Sequence, residues 1–133
     1  MNASAASALN GARIQVPNTP EIWLIYHGMR RHIVSPAVYQ ALFSSGEGII
    51  ELESVDQILR GPDLNDGTCL IQDENGGPIF LLTGFPDTEV RKHNIISYDT
   101  FQDFAFDMSK VVRLPSLVIA GIPVGRDIRS AAE

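Results

Sequence analysis

Ile22-Trp23-Leu24-Ile25-Tyr26, followed by Gly28, Arg30-Arg31-His32, Ser35 and Tyr39-Gln40, returns in the second half of the chain. There it stands as Ile79-Phe80-Leu81-Leu82-Thr83, Gly84, Arg91-Lys92-His93, Ser97 and Phe101-Gln102. Working outward, Asn10-Gly11 matches Asp66-Gly67, Leu52-Glu53-Ser54 matches Leu114-Pro115-Ser116, and Gly61-Pro62-Asp63-Leu64 matches Gly125-Arg126-Asp127-Ile128. The pairs keep order, chemical class and approximate spacing, so the chain reads as two diverged copies of one unit. The units span 10–65 and 66–128, with a flexible tail at 1–9 and another at 129–133. The sizeable difference is an insertion, Phe85 to Glu89, where Pro86-Asp87 marks a turn and added length is tolerated at the surface.

Each copy opens on its turn dipeptide and a short first strand, Arg13 to Val16 or Cys69 to Gln72. Turn-forming residues follow, and then a dense β-branched, aromatic and aliphatic run, Glu21 to Tyr26 or Pro78 to Thr83, reads as a buried central strand. Arg30 to Val34 and Val90 to Ile95 return as third strands. Ser35-Pro36 and Ser97 are helix starts, with Val38, Tyr39, Leu42 and Phe43 facing inward in one copy and Phe101, Phe104 and Ala105 in the other. A short run, Ile49 to Leu52 or Val111 to Leu114, leads into a short helix, Val55 to Leu59 or Leu117 to Ile122. The expectation is an α+β fold of two pseudo-symmetric β-β-β-α-α repeats packed into one compact domain, since a unit of this size cannot cover its own apolar face.

With 44% hydrophobic and 20% charged residues among 133, the chain has the composition of a globular protein. The net charge of -6 repels phosphate backbones and anionic lipid surfaces, which argues against nucleic-acid partners. No apolar stretch approaches the roughly 20 residues that span a bilayer, so membrane insertion is not expected. Cys69 is the only cysteine, which excludes an intramolecular disulfide and suits a small buried side chain. Met1 to Leu9 carries no basic region and no long apolar region, so it does not read as a signal peptide. Asn2-Ala3-Ser4 satisfies the glycosylation pattern at the near-chance level of a three-residue match.

Gly28-Met29-Arg30-Arg31-His32-Ile33-Val34-Ser35-Pro36 with Tyr39, and more loosely Arg91-Lys92-His93-Asn94-Ile95-Ile96-Ser97 with Phe101, resembles a tandem repeat found in many bacterial proteins. These are often exported or wall-associated and carry a motif close to Gly-x-Lys-Arg-His-Ile-Pro-x-Pro followed by Phe or Tyr. The resemblance implies an extracytoplasmic binding or structural role, and it brings no established activity with it. The second copy departs from the motif by its hairpin insertion and by one extra residue, assigned to the position after His93.

The two basic triplets are the candidate ligand-binding residues: Arg30, Arg31, His32, Arg91, Lys92 and His93. Strand alternation sends Arg30 and His32 to one face and Arg31 to the other, so one side could offer a basic site to a carboxylate, sulfate or phosphate. The competing readings are pairing with the protein's own acids and protection of an exposed sheet edge. A charge run is more often a solvated face than a site.

His27, His32 and His93 lack carboxylates or cysteines at a recognised ligand spacing, so neither a metal nor another cofactor is expected. The acidic stretches Asp63 to Gly67 and Asp73 to Gly77 fit turns better than an EF-hand loop. Gly121 to Gly125 lacks phosphate-loop spacing, and no nucleophile elbow surrounds a serine or Cys69, so no catalytic residue is singled out. The sequence thus points to a non-enzymatic binding or adhesion module for a protein or acidic glycan partner. A structural domain that self-associates as a weak dimer is the alternative, and a small enzyme with its site at the seam between repeats is a third.

Overall fold

The computed structural model describes residues 6–131, and the Asn2-Ala3-Ser4 pattern lies outside them. The fold is α+β, with two four-stranded mixed sheets. In the first sheet, β2 (Ile22–Tyr26) runs between antiparallel β1 (Arg13–Gln15) and β3 (Met29–His32), with Trp23 opposite both Ile14 and His32. After the helix α1 (Pro36–Leu42), β4 (Ile50–Glu51) pairs parallel to β1 through Ile14 and Ile50.

The second sheet repeats this order. There β6 (Ile79–Thr83) lies between β5 (Cys69–Asp73) and β7 (Arg91–Asn94), with Phe80 opposite Ile71 and Asn94. Beyond α2 (Tyr98–Asp103), β8 (Val112–Leu114) pairs parallel to β5 through Ile71 and Val112. The helix α3 (Ser116–Gly121) follows.

The expected β-β-β-α-α unit therefore needs two corrections. The short run after each long helix is a fourth strand, because the helical crossover returns the chain in the direction of the first strand. The helix expected over Val55 to Leu59 is a turn, whereas its counterpart in the second unit, α3, forms. At that turn Ser54 Oγ accepts a hydrogen bond from Asp56 N at 3.1 Å, the bond a helix cap would make, but only a single turn forms. Val55 and Ile58 are buried beneath the turn.

The serine caps hold as read. Ser35 Oγ accepts from Val38 N at 3.3 Å, Ser97 Oγ accepts from Thr100 N at 3.1 Å, and both serines are extended. Val38, Leu42 and Phe43 are buried, as are Phe101 and Phe104. Ala105, expected inward, is exposed: α2 ends at Asp103, Ala105 turns the chain at φ 59°, and Phe106 takes the inward place.

Alternation along the central strands gives each sheet two apolar faces. Leu24 and Tyr26 of the first sheet and Leu70 and Leu81 of the second join one cluster with residues of α1 and α2. Within it Phe43 and Phe104 each stack on Phe106, with centroids 5.5 Å and 5.1 Å apart. The other faces carry separate clusters: Ile14, Trp23 and Ile25 on the first sheet, Ile71 and Phe80 on the second.

The expected tails are partly built into the fold. Ala6 is fully buried against the first sheet's outer face, and Ser7–Leu9 form a 3-10 turn there. At the other end Ala131 N donates to Asn10 O at 3.0 Å and Ser130 Oγ donates to Asp103 Oδ2 at 2.8 Å. Cys69, expected to be buried, is half-buried, and burial raises its thiol pKa. The insertion over Phe85 to Glu89 is exposed, as its turn residues imply. No helix among the described residues is long and apolar enough to cross a membrane.

The shared cluster predicts coupled unfolding. Trp23 is the only tryptophan and sits in the first unit. Phe104→Ala, in the second, should cost about 3–5 kcal/mol and move the Trp23 fluorescence transition in urea together with the circular-dichroism transition. A tryptophan transition that stays put would show independent halves. Ser35→Ala and Ser97→Ala should each cost about 1 kcal/mol in the same measurement.

Candidate functional site

The register of the two sheets revises how the basic triplets correspond. Bridges outside the named strands link Arg30 with Arg60 and Lys92 with Val124, and they link Ile33 with Leu64 and Ile95 with Ile128. Together with the Trp23–His32 and Phe80–Asn94 pairs, these align Arg30 with Lys92, Arg31 with His93, and Met29 with Arg91. The extra residue in the second copy thus falls before the triplet, and the match of Arg30-Arg31-His32 to Arg91-Lys92-His93 is off by one. One-residue steps along a strand reverse the face, so the correction decides which groups meet.

Arg30 and Lys92 occupy equivalent outward places, each over the aromatic ring of the neighbouring central strand. The Arg30 guanidinium lies 4.4 Å from the Trp23 centroid and its Nε donates to Ile58 O at 2.9 Å. Lys92 is buried, with Nζ 5.0 Å from the Phe80 centroid and donating to Ile119 O. His32 packs 5.4 Å from Trp23 and borders a separate apolar groove with Ile22, Ile33 and Tyr39. These three side chains are spent on packing the outer layers. Nor do the triplets guard bare edges. Segment 59–64 bonds to β3, where Arg30 N donates to Leu59 O at 2.8 Å, and segment 123–128 bonds to β7, where Lys92 N donates to Pro123 O at 2.9 Å.

Arg31, Arg91 and His93 turn the other way, to a cavity of about 500 Å³ at the junction of the two sheets. Tyr26, His27 and Arg126 also line it. Arg31 is only 7% exposed, its guanidinium lies 3.9 Å from the Tyr26 ring centroid, and its Nε has no hydrogen-bond partner. Among the described residues no carboxylate pairs with Arg31 or Arg126. The acids at the rim are already engaged: Glu89 pairs with Arg91 at 2.7 Å and Asp63 with Arg60 at 2.9 Å. Burial presses the Arg31 pKa down, Tyr26 opposes this through its charge and a side-chain hydrogen bond, and the like charge of Arg126 adds to the lowering.

His27 stands where the hairpin between β2 and β3 turns, at φ 53° beside Gly28 at φ 68°. Both central residues of this two-residue turn need the left-handed region, which histidine enters more readily than most non-glycine residues. Asn10 Oδ1 fastens the turn by accepting from Gly28 N at 3.0 Å. His27 Nε2 faces Asp127 O at 2.7 Å, and because a carbonyl only accepts, this nitrogen carries the proton. His93 Nδ1 donates likewise to Arg126 O at 2.7 Å, and Thr83 Oγ1 donates to His93 Nε2 at 2.9 Å. The rings lie 6.1 Å apart.

Burial is the main reason both histidines titrate low, His27 at about 4, and Arg31 reinforces it in each. Near neutral pH they are uncharged, and the positive charge at the cavity comes from the arginines. Among the described residues no cluster of His, Cys, Asp and Glu is placed to hold a metal ion.

Arg126 escaped the sequence reading, although a signal was present. It falls where the aligned copies differ, Gly61-Pro62 against Gly125-Arg126, and Arg91 likewise stands where the first copy has Met29. Compared with known proteins, the chain matches no family model, and neither a curated protein nor a solved structure shows significant similarity to it.

Glycine keeps the wall of the cavity close. A Cβ on Gly125 would come within 2.7 Å of His93 Nδ1, and one on Gly61 within 3.1 Å of Arg31 Cζ. Gly125→Ala should therefore displace His93 and break its bond to Arg126 O, and because that bond raises the His93 pKa, its loss should show as a further fall of the pKa in an NMR titration.

His27 gives a second prediction. Its folded pKa is depressed, so its contribution to stability is present above the unfolded value of 6.5 and is lost as the pH falls through that value to about 4. The urea midpoint should drop across this window, and His27→Asn, which tolerates the turn, should flatten the drop.

Proposed function

We propose that this protein is a non-enzymatic binding module that holds an anionic group of its partner in the cavity between the sheets, with Arg31, Arg126 and Arg91 as the cationic groups. The observation that carries the reading is Arg31. A buried guanidinium without a carboxylate partner is costly, and a ligand anion in the cavity that Arg31 lines would supply the missing charge. In a chain of net charge -6, convergence of Arg31 and Arg126 on one cavity is a local reversal of sign.

Arg13 supplies the contrast. It is equally buried, yet it donates to Tyr39 Oη at 2.6 Å, Ser45 O at 3.0 Å and Glu47 O at 2.6 Å, so its role is met within the fold. His93 has both ring nitrogens engaged, which suits it to holding the cavity wall rather than to moving protons. The basic triplets keep a part in this reading through Arg31, Arg91 and His93, whereas Arg30, His32 and Lys92 serve packing.

Self-association is the second reading, favoured by exposed Leu117 and Val118 of α3 and by exposed Val124. A dimer in sedimentation that disappears in Leu117→Lys would support it.

The pocket reading predicts opposite effects of two arginine substitutions. Arg31→Met should leave the free protein equally stable or stabilise it by about 1 kcal/mol or more, because it removes an uncompensated buried charge. Arg13→Met should cost about 1–3 kcal/mol, because it removes three hydrogen bonds of a buried cation that the fold satisfies. In an NMR titration of the wild type with sulfate and with acetate, the Arg31 Nε–H resonance should shift saturably, and Arg126→Ala should weaken that response. An Arg31 signal unmoved by any small anion would overturn the reading.

A further inference from the structure

A second cavity, of about 490 Å³, adjoins the first and shares His27 and Arg126 with it. Arg129, Asp127, Asn10 and Ser7 contribute to its lining. Arg129 reaches Asp127 at a loose 3.9 Å, and both are partly solvent-exposed. Both volumes fall within the roughly 300–1,000 Å³ of small-ligand pockets. Each holds arginine together with a carboxylate: Arg31, Arg91 and Arg126 with Glu89 and Asp63 in the first, Arg126 and Arg129 with Asp127 in the second. Glu89, Asp63 and Asp127 each pair with an arginine through one oxygen and keep further acceptor capacity, so a ligand unit that suits either cavity carries an anion for the arginines and hydrogen-bond donors for the carboxylates.

Resting on the anion-pocket reading, we infer that the ligand is an acidic oligosaccharide whose consecutive uronic acid units occupy the two cavities, with Arg126 between them serving both. Each uronic acid ring offers one carboxylate and several hydroxyl donors, the two kinds of group that the arginines and carboxylates of each cavity would bind. A polyphosphate lacks hydroxyl donors for Glu89, Asp63 and Asp127. A peptide in strand conformation has no ladder to join beside the seam, because the outer edges of β3 and β7 are taken by 59–64 and 123–128. It also finds few apolar side chains to anchor on, Met29, Pro62 and the buried Tyr26 in one cavity and Ala8 and Ala131 in the other.

Calorimetric titration of the full chain with D-galacturonic acid, with its dimer and trimer, and with their methyl esters tests this. The trimer should bind at least about tenfold more tightly than the monomer, through linkage of the two sites. Methyl esterification should abolish binding, and Arg129→Ala should take away most of the gain with length. Arg113→Ala, on β8, should match the wild type, with thermal melts confirming that both variants are folded.

Binding of the monomer without any gain with length would overturn the oligosaccharide inference while the anion pocket stands. Failure of every acid, together with an Arg31 resonance that sulfate and acetate leave unmoved, would overturn both. Triglutamate binding as tightly as trigalacturonate would overturn the glycan assignment in favour of an acidic peptide.

Discussion

Neither sheet can finish its own interior, and everything else in the molecule follows from that constraint. The inner faces present Leu24 and Tyr26 on one side and Leu70 and Leu81 on the other, and Phe43, Phe104 and Phe106 of the segments around α1 and α2 fill the space with them. Non-directional burial of this kind gains most when the two apolar faces share one cluster. It also fixes how the polar ends of the same strands meet. Because side chains alternate, the row that carries Leu24 and Tyr26 continues across the pairing to Arg31 and Met29, and the row of Leu81 and Thr83 continues to His93 and Arg91. The candidate pocket is thus the edge of the core, where the apolar rows run out into cations and imidazoles.

The outer faces of the two similar sheet units are covered in different ways. On the first sheet, Ala6 and Leu9 and the buried turn at Val55 and Ile58 cover Ile14, Trp23 and Ile25. On the second, Ile119 and Ile122 cover Ile71 and Phe80, while Leu117 and Val118 point to solvent. In both sheets a cation over an aromatic ring closes the layer, Arg30 on Trp23 and Lys92 on Phe80. This repeated contact explains half of the basic triplet chemistry without any ligand. The positions that differ between the two sheet units carry the rest: in register, Arg91 stands where the first unit has Met29, and Arg126 follows Gly125 as Pro62 follows Gly61.

The two buried arginines show how alike burial can mean opposite things. Arg13 is enclosed by acceptors the fold provides, and removing it would forfeit three hydrogen bonds. Arg31 is enclosed by an aromatic ring and by the close approach of Gly61, with its charge unanswered by any acid among the described residues. A protein that keeps such a group forgoes stability there, the pattern expected where a residue is held for binding.

From sequence alone, the α+β class, the central strands, the serine-capped helices and most of the core were legible, because each rests on a local signal: apolar density, alternation, a cap and a turn residue. The fourth strands were not, since Ile50–Glu51 and Val112–Leu114 are too short to be seen until a non-local partner pairs with them. The loss of the first unit's last helix was hidden as well, because Ser54 before an apolar run reads as a helix cap, while the chain makes only a turn that buries Val55 and Ile58 against the sheet. The sequence also determined that two basic triplets exist, while only pairing could say which members correspond. A gap of one residue can be placed on either side of a triplet at little cost to similarity, yet in a strand that choice inverts every side chain. Tertiary structure alone set Arg31 beside Arg126 without a carboxylate to answer them, because that proximity joins residues far apart in the chain through a core that no local pattern encodes.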